Sequence, residues 1–504
     1  MGQSGQRTAV AAHARPARPT ANPFARRTYG VLEQITPRVY LFRNVVNSVI
    51  VLGDDACAVI DTQVNAPMAA RLVQQVQQVS DKPLRYAINT HYHWDHTAGN
   101  HVCKRAGATV VSSALTRTFM ETRSARQRAL LASRGFELGP LPYLADTTVH
   151  ERSELDLGNQ RLCLLHLGQA ESDDALAIHL PQEGCVVAGD TVMTGSFPMF
   201  GQPVMNEGLM GTTAWLDTLT NLERLQPRHI LPGHGPVAHA PELELLKRLE
   251  RYFLDEVGRR VASGLPLPAL LADLEAQLPA WIRAIPVVWG TPRYAILRVY
   301  RGLVDDPQGE PGWQHYKPSV VPSGDPVWVQ TACAPLVDLQ AFHEVVRECE
   351  EGGDVGNAIL VARYATSQAP EDPAAWLLLA ECLGRGAAHV PSVLEKGDFF
   401  VEARQALTHA LALDSTYAPA RLALGRSLVM LAYRNGGTPT PGMQHLRQVI
   451  ESVPASQAAV LAQAQFYLGM GYRTQGDETQ ALRCFDTALR HMPTFSPALL
   501  AQQG

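Results

Sequence analysis

The segment THYHWDHTAGN (residues 90–100) places four side chains that can bind metal ions within six positions: His91, His93, Asp95 and His96. His91 and His93 lie two residues apart, so they share one side if the backbone stays extended. A turn would then bring Asp95 and His96 to a second centre about 3.5–4 Å away, the usual separation in two-metal sites. The spacing therefore predicts a binuclear metal centre that activates water, rather than an exposed polar loop.

The elements that must position these residues alternate between short β-branched runs and helical patterns. NSVIVLG (47–53) and ACAVID (56–61) flank Asp54 and Asp55 and predict a hairpin, followed by a helix with Leu72, Val76 and Val79 on one face. Further strands are predicted at 85–90, 108–113, 174–181, 184–189 and 228–232, and a helix at Trp215, Leu219 and Leu222. This alternation is typical of a layered α/β domain, here residues 29–241.

The pattern becomes helical from about residue 242. One predicted helix carries an apolar stripe that repeats every four residues and would face a partner helix: Leu245, Leu249, Phe253, Val257 and Val261. Two more helices are predicted at 267–279 and 292–303, which completes a helical segment over 242–315. Residues 316–340 contain four prolines and are predicted to form a linker.

Residues 341–504 contain an internal repeat. The spacing of small and large residues from 464 onward is typical of a tetratricopeptide helical hairpin: Leu468, Gly469, Tyr472, Gly476, Ala481, Phe485, Ala488 and Pro493. A weaker copy begins near Asp354, and a degenerate one covers roughly 399–432. Such units must stack to bury their apolar faces. A plain helical bundle is the alternative interpretation.

Composition limits the classes of function. The net charge of −5 gives no basic footprint for nucleic acid, and no run of about 18 apolar residues predicts a membrane span. The eight cysteines form no C-x-x-C pair, so we expect reduced, packed thiols and a cytoplasmic protein. Residues 1–28 lack acidic side chains and an apolar core, and are interpreted as a disordered basic tail or, alternatively, an organelle transit peptide.

From the histidine-rich segment onward the chain resembles the metallo-β-lactamase superfamily, over about residues 35–240. In VVAGDT (186–191), Asp190 matches the bridging aspartate of the superfamily, and in LPGHGP (231–236), His234 matches its final histidine. Asp61 in VIDT (59–62) stands where the superfamily often has a carboxylate behind the ligands, although a strand-capping role is equally open. The resemblance implies an αββα sandwich.

The remaining ligand of the superfamily comes from a loop that reads roughly G-H-T-x-G-D. Aligning HLGQAESDDALAIHLP (166–181) through its Leu-Gly and Leu-Pro pairs places Glu171 at that position. His166 is the rival, but it would need a register shift, and His179 is interpreted as an ordinary strand residue. A carboxylate binds zinc at about the same distance as imidazole. Three acidic ligands would weaken the cations as Lewis acids and make manganese or iron more acceptable beside zinc.

A carboxylate at this position is known in one branch of the superfamily, the alkylsulfatase-type enzymes. The segment VVWGTPRYAILRVYRGLVDDPQGEPGW (287–313) resembles the helical dimerisation segment of those enzymes, which precedes a tetratricopeptide-like region. The resemblance therefore implies a homodimer and an all-α dimerisation and tetratricopeptide-like part after the α/β domain. A peptide partner for the repeats, or a role in packing alone, both remain open.

The chain departs from the classical alkylsulfatases in three places. Their bridging glutamate is Asp190 here, their sterol-carrier-like domain is absent, and residues 184–222 contain no Lys or Arg to grip a sulfate. Either Arg293, Arg298 or another distant residue serves, or the substrate is less anionic. The insert also carries apolar side chains that predict either an adaptable pocket wall or ordinary packing: Met193, Phe197, Met199, Phe200, Met205 and Met210.

These observations predict a hydrolase with two divalent metal ions, zinc first, and a bridging hydroxide as the nucleophile. The expected ligands are His91, His93 and Glu171 for one ion, Asp95, His96 and His234 for the other, and Asp190 between them. Asp95 would also orient the hydroxide and accept a proton. The expected substrate is a small alkyl sulfate ester. The alternatives are a carboxylic ester, lactone or thioester, or an interaction protein with a vestigial hydrolase domain.

Overall fold

We describe the fold from a computed structural model of the chain. It describes residues 22, 24, 29–133, 141–201, 211–304, 324–334, 336, 338–390 and 393–503. Most of the predicted tail 1–28, as well as Met205 and Met210, lies outside these residues. No helix among the described residues is long and apolar enough to cross a membrane. All eight cysteines are described, buried and without a disulfide, as predicted.

The first of two β-sheets has its strands in chain order. They are β1 (Val31–Thr36), β2 (Val39–Arg43), β3 (Ser48–Leu52), β4 (Cys57–Ile60), β5 (Leu84–Ile88), β6 (Thr109–Ser113) and β7 (Thr147–Val149). The pairings from β1 to β4 are antiparallel, which confirms the predicted β3–β4 hairpin. The pairings from β4 to β7 are parallel, so their carboxyl ends meet at one edge of the sheet.

The second sheet runs in reverse chain order, from β12 to β8. Its strands are β8 (Arg152–Asp156), β9 (Arg161–Leu165), β10 (Ala177–Leu180), β11 (Cys185–Met193) and β12 (His229–His234). Only β11 and β12 pair in parallel. Apolar residues from both sheets, among them Val49, Ile88, Leu164 and Leu231, form one buried cluster between them. The two sheets thus form the inner layers of the predicted sandwich.

Helices cover the outer face of each sheet. The helices up to residue 303 are α1 (Ala66–Val79), α2 (Trp94–Thr97), α3 (Asn100–Arg105), α4 (Ala114–Ser133), α5 (Ala214–Glu223), α6 (Ala240–Ala262), α7 (Leu267–Gln277), α8 (Ala280–Arg283) and α9 (Pro292–Leu303). Apolar residues of α1 pack on the first sheet. Those of α5, α6, α7 and α9 join a cluster with Val186 and Ala188 of β11. This αββα arrangement confirms the predicted fold class. The apolar cluster that includes Val186 and Ala188 continues past residue 241, where the α/β domain was predicted to end.

The prediction of an apolar stripe on α6 is wrong for its first member, Leu245. Leu249, Phe253 and Val257 are buried, whereas Leu245 is 42% exposed. A step of four residues turns an α-helix by 400°, so each successive member drifts about 40° around the axis. Leu245 has therefore left the face centred on Phe253, and Leu246 takes its place in the core.

The remaining described helices form an all-α region. They are α10 (Pro326–Cys333), α11 (Leu339–Glu351), α12 (Val355–Gln368), α13 (Pro373–Gly386), α14 (Val393–Leu413), α15 (Ala418–Asn435), α16 (Thr440–Ser452), α17 (Ala458–Gln475), α18 (Glu478–His491) and α19 (Ser496–Gln502). Neighbouring helices pack as hairpins. At Gly469 of α17 an added Cβ would lie 2.6 Å from the Phe485 ring of α18, which is the predicted small-against-large contact.

The linker predicted at 316–340 is wrong over residues 326–333, because α10 occupies them. Asp325 caps this helix by accepting hydrogen bonds from the backbone amides of Val327 and Trp328. Pro326 stands in the first turn, where a missing N–H costs nothing, so this proline starts a helix instead of preventing one. Val329 and Cys333 are buried among the helices that follow.

Candidate metal centre

The histidine-rich segment groups its side chains as the spacing predicts, although its backbone is not extended throughout. After β5 ends at Ile88, the chain bends at Thr90 and His91, and His93 then has φ −57° and ψ 145°. Helix α2 follows at once and carries Asp95 and His96 in its single turn. Both pairs of ligand-type side chains therefore follow the end of β5, one of the parallel strands, and each pair joins a group of ligand-type atoms.

One group of ligand-type atoms comes from His91, His93, Glu171 and Asp190, all of them buried and within 4.8 Å of one another. Nδ1 of His93 lies 2.9 Å from Nε2 of His91 and 3.4 Å from Oε2 of Glu171. Oδ2 of Asp190 lies 3.8 Å from Nε2 of His91. Two imidazoles and two carboxylates facing one point are a suitable donor set for a divalent cation.

A second group comes from Asp95, His96 and His234. Oδ2 of Asp95 lies 3.4 Å from Nε2 of His234 and 3.8 Å from Nε2 of His96. Asp190 reaches this group too, since its carboxylate oxygens lie 3.4 Å from Nε2 of His96 and 3.5 Å from Nε2 of His234. Asp190 thus stands between the two groups. It lies within β11 instead of at the strand end, because the strand shifts register at Gly189 and continues to Met193.

The structure places Glu171, and not His166, at the centre. Glu171 lies in the loop between β9 and β10 and is 1% exposed. His166, the rival from the same stretch, is exposed and belongs to neither group. His179 pairs with Cys163 and Val186 as a half-buried residue of β10, which agrees with its interpretation as an ordinary strand residue.

Asp61 lies directly behind the two groups. Its Oδ2 accepts hydrogen bonds from Nδ1 of His96 at 2.7 Å and from Oγ1 of Thr90 at 2.8 Å. Its Oδ1 accepts the backbone amide of Thr90, and Oγ1 of Thr90 in turn contacts Nδ1 of His91 at 2.9 Å. One buried carboxylate therefore orients two imidazoles, so the carboxylate role left open by the sequence fits better than strand capping.

The hairpin loop between β2 and β3 fixes the end of β12. Nδ1 of His234 donates to the carbonyl of Val45 at 2.8 Å, so its Nε2 faces the two groups. The side chain of Asn47 donates to the carbonyls of Pro232 and Gly235. These bonds join the two sheets at the edge that carries the ligand-type residues.

Burial and charge strongly perturb the pKa values at this centre. Burial raises the pKa of Glu171 well above its usual value, and the negative charges of Asp190 and Asp95 act in the same direction. For His234, burial alone would lower the pKa, but Asp190 and Asp95 outweigh burial and raise the pKa to about 10. An excess of buried negative charge is the condition that a bound cation relieves.

One aromatic ring beside the centre was not predicted from the sequence. Trp289, from the loop before α9, lies with its ring centroid 4.9 Å from that of His234. Of the insert proposed as a pocket wall, Phe197 and Phe200 are fully buried and pack on Phe253, which is ordinary core packing.

The two arginines considered for sulfate binding have other partners. Arg293 forms an ion pair with Glu275 at 2.7 Å. Arg298 is buried, and its Nε donates to the carbonyl of Phe200 at 3.0 Å. These contacts tie Arg293 to α7 and Arg298 to the segment after β11.

Fold and sequence together define the class of the first half of the chain. Residues 41–252 match the family model of the Metallo-beta-lactamase superfamily, so this part of the chain is a metallo-β-lactamase domain. Among curated proteins, the chain is similar to the linear primary-alkylsulfatase of Pseudomonas sp. (strain ATCC 19151), with 21% identity over 50% of this chain and 54% of that protein. It is also similar to the metallo-beta-lactamase type 2 of Bacteroides fragilis, with 22% identity over 42% of this chain and 78% of that protein.

A solved structure extends the likeness into the helical region. The stereoselective inverting sec-alkylsulfatase Pisa1 from Pseudomonas sp. superposes with a TM-score of 0.55, over 76% of this chain and 66% of that chain, at 16% identity. At this identity the likeness concerns the fold alone. The chain spans about half the length of the curated alkylsulfatase that it matches.

Proposed function

We propose that this chain is a binuclear metal-dependent hydrolase in which Asp190 joins two sets of cation ligands. One cation would be held by His91, His93 and Glu171. The other would be held by Asp95, His96 and His234. The observation that carries the proposal is the position of Asp190, whose oxygens lie within 3.8 Å of ring nitrogens in both sets. A carboxylate between two sets of donors can bridge two cations.

Unsatisfied buried atoms support cations at this place. Among the described residues, both carboxylate oxygens of Glu171, Oδ1 of Asp190 and Nε2 of His96 are buried without a hydrogen-bond partner. Such atoms are costly to leave unpaired, and two cations, one at each set of ligands, would satisfy them. We propose zinc, which accepts imidazole and carboxylate ligands, with manganese or iron as alternatives because three carboxylates make the site harder.

The ligand residues differ in access to solvent, which suggests their roles. Two bound cations would supply Lewis acidity and lower the pKa of a water molecule between them. The Asp95 side chain is 17% exposed, whereas those of His96, His234 and Asp190 are at most 7% exposed. Asp95 therefore faces the side from which water and substrate arrive. We assign it the orientation of the attacking water and the acceptance of its proton.

Hydrolysis of an alkyl sulfate ester is the reaction that we propose. It is supported by the similarity to a linear primary-alkylsulfatase. It is also supported by the carboxylate of Glu171, which stands in the first group of ligand-type residues. The anionic head of a small-molecule sulfate ester would lie among the ligand residues, with its alkyl part on the side of Asp95. The protein would act on such substrates without a nucleic acid partner.

A carboxylic ester, lactone or thioester is the second candidate, and the arginine contacts favour it. Residues 184–222 contain no Lys or Arg, while Arg293 and Arg298 bind Glu275 and Phe200. A substrate with less negative charge would not need the arginine guanidinium that binds sulfate through two parallel hydrogen bonds.

Product analysis separates the two candidates. The zinc-loaded full chain would be offered decyl sulfate and, separately, a panel of decyl esters, lactones and thioesters. Sulfate release would be followed by ion chromatography and acid release by titration. Sulfate release supports the first candidate, and acid release alone supports the second. Glu171→Ala should remove most of the turnover and bound metal, whereas the matched variant His166→Ala should change neither, because His166 is exposed.

A different outcome would replace the hydrolase by an interaction protein. Fewer than about one metal ion per chain, together with no effect of Glu171→Ala, would contradict the proposed ligand set. The tetratricopeptide-like region would then be the functional part, with a peptide as its partner. A homodimer formed through residues 242–315 in the cytoplasm is a separate proposal, which rests on the resemblance to alkylsulfatases and is tested by light scattering.

A further inference from the structure

We propose that Trp289 is a specificity-determining residue that contacts the apolar part of an ester substrate. The proposal rests on the proposed hydrolase function and adds a residue from outside the matched domain, which ends at residue 252. Trp289 is half-buried, and its ring lies against that of His234, with 4.9 Å between centroids and 53° between planes.

The position of Trp289 follows from two backbone contacts. The amide of Phe197 donates to the carbonyl of Pro286 at 2.7 Å, and the amide of Gly290 donates to the carbonyl of Phe197 at 3.2 Å. An added Cβ at Gly290 would lie 1.8 Å from the carbonyl oxygen of Pro198, so only glycine allows this approach. The loop is thereby clamped to the segment that leaves β11, and Trp289 is held beside the metal centre.

Trp289 contacts the same histidine as Asp95 does. Asp95 is the most exposed of the ligand-type side chains, and its Oδ2 lies 3.4 Å from Nε2 of His234. Because Trp289 packs on that same histidine, we place the indole beside the path by which a substrate would enter. An ester whose head group lies among the ligand residues would extend its remaining atoms along this side.

A purely structural role for Trp289 is less consistent with the contacts of His234. The hydrogen bond from Nδ1 of His234 to the Val45 carbonyl already fixes the tautomer and direction of the imidazole. The indole is not needed for that purpose. It offers instead a large, rigid apolar surface, which is a common way to bind alkyl or aryl groups in substrate pockets.

A chain-length series tests this role with Trp289→Ala and Trp289→Phe. The substrates are ethyl, hexyl and decyl esters of whichever acid the protein releases. For Trp289→Ala we expect KM for the decyl ester to rise about tenfold, from the loss of apolar contact. The ethyl ester should change less than about twofold, since it is too short to gain from the indole. Trp289→Phe should keep most of the preference for long chains.

Controls separate substrate contact from support of the metal centre. Trp281, whose ring contacts are with Tyr252 and Arg248, provides the matched variant Trp281→Phe, with no expected change in chain-length preference. A loss of metal in Trp289→Ala, or an equal loss of kcat for all three esters, would overturn the proposal. It would show that Trp289 only supports His234.

Failure of the proposed function can be distinguished from failure of this inference. If the wild-type protein cleaves no ester, calorimetry with zinc-loaded protein would compare the binding of decanesulfonate and ethanesulfonate. The inference requires that decanesulfonate bind more tightly and that Trp289→Ala weaken only this ligand, by about tenfold. Equal binding of both sulfonates to wild type and variant would overturn it.

Discussion

At the scale of single residues, Asp61 shows how the centre is organised behind its ligands. It adopts a left-handed backbone conformation, with φ 60°, which is uncommon for residues other than glycine. Backbone strain of this kind is found where function requires a fixed side chain. Here it directs one carboxylate to His96 and Thr90 at once.

Replacing Asp61 by asparagine should weaken metal binding without unfolding the protein. Asparagine tolerates the left-handed conformation and has nearly the same shape, but it removes the charge that supports the His96 imidazole. We expect Asp61→Asn to lower zinc affinity by about tenfold or more in chelator competition, with little change in the melting temperature. Unchanged affinity would contradict the positioning role. Asp54→Asn, in the exposed β3–β4 turn, is the control.

Metal uptake should release protons at neutral pH. In the metal-free protein Asp190 and other carboxylates raise the pKa of His96 well above its usual value, despite burial, and that of His234 to about 10. These raised pKa values favour the protonated form of both imidazoles, and a cation must displace their protons. Zinc affinity should rise with pH until about pH 10 and fall as the pH is lowered.

Calorimetry in buffers of different ionisation enthalpy measures this proton release. We expect at least about two protons per chain on zinc binding at pH 7, one from each of the two histidines, with a further contribution from Glu171, whose pKa is also raised by burial. A binding enthalpy that does not depend on the buffer would show that His96 and His234 are not ligands in their neutral form.

At the scale of elements, the parallel pair β11 and β12 approaches too closely for a side chain at Gly233. An added Cβ there would lie 2.0 Å from Oδ1 of Asp190 and 3.0 Å from the His96 ring. We expect Gly233→Ala to displace the Asp190 carboxylate and cause loss of metal from a folded protein. Metal analysis together with circular dichroism tests this.

A glycine with open surroundings supplies the control for Gly233. Gly384 lies in α13 with no atom within 4 Å of an added Cβ. Alanine is favoured over glycine inside a helix by roughly 0.5–1 kcal/mol, so Gly384→Ala should retain metal and raise the melting temperature slightly. If both variants keep their metal, β11 and β12 can separate more easily than the structure indicates.

The same elements show what the sequence could predict. The histidine-rich turn is local, because all four side chains follow one strand, so its geometry could be derived from spacing alone. The prediction of Glu171 as a ligand also required the order of the motifs along the chain. Trp289 depends on a contact between residues 197 and 290, and no local pattern reports such a pairing. The start of α10 at Pro326 does have a local signal, Asp325 as the cap and a proline in the first turn, whereas its burial against later helices does not.

At the scale of the whole molecule, the helical region contacts the α/β domain through the turn after α15. Gly436, in the turn after α15, has a left-handed conformation with φ 67°, and an added Cβ would lie 2.4 Å from the sulfur of Met68 in α1. The hydroxyl of Tyr29 donates to the carbonyl of Tyr433 at 2.7 Å. Since α1 begins five residues after Asp61, the α15 turn packs next to the segment that positions His96.

The two described residues of the N-terminal tail add a contact at the other end of the helical region. Phe24 packs edge-on against Phe466, with 5.0 Å between ring centroids. The buried guanidinium of Arg473 donates to the carbonyls of Phe24 and Ala501. Phe24 and α19 thus cover the same end of α17, and this part of the predicted disordered tail is bound.

Removing the Phe24 ring should therefore loosen the last hairpin without affecting the metal centre. Because the ring is only partly buried, we expect Phe24→Ala to cost about 2 kcal/mol, less than for a fully buried phenylalanine. Hydrogen exchange should become faster in α17 and α19, while zinc content stays unchanged. Leu482→Ala, on the exposed side of α18, should leave exchange in both helices as it is. If the two variants show the same rates of amide hydrogen exchange in α17 and α19, the tail contact does not stabilise the repeats. These helices would then be held by their own packing alone.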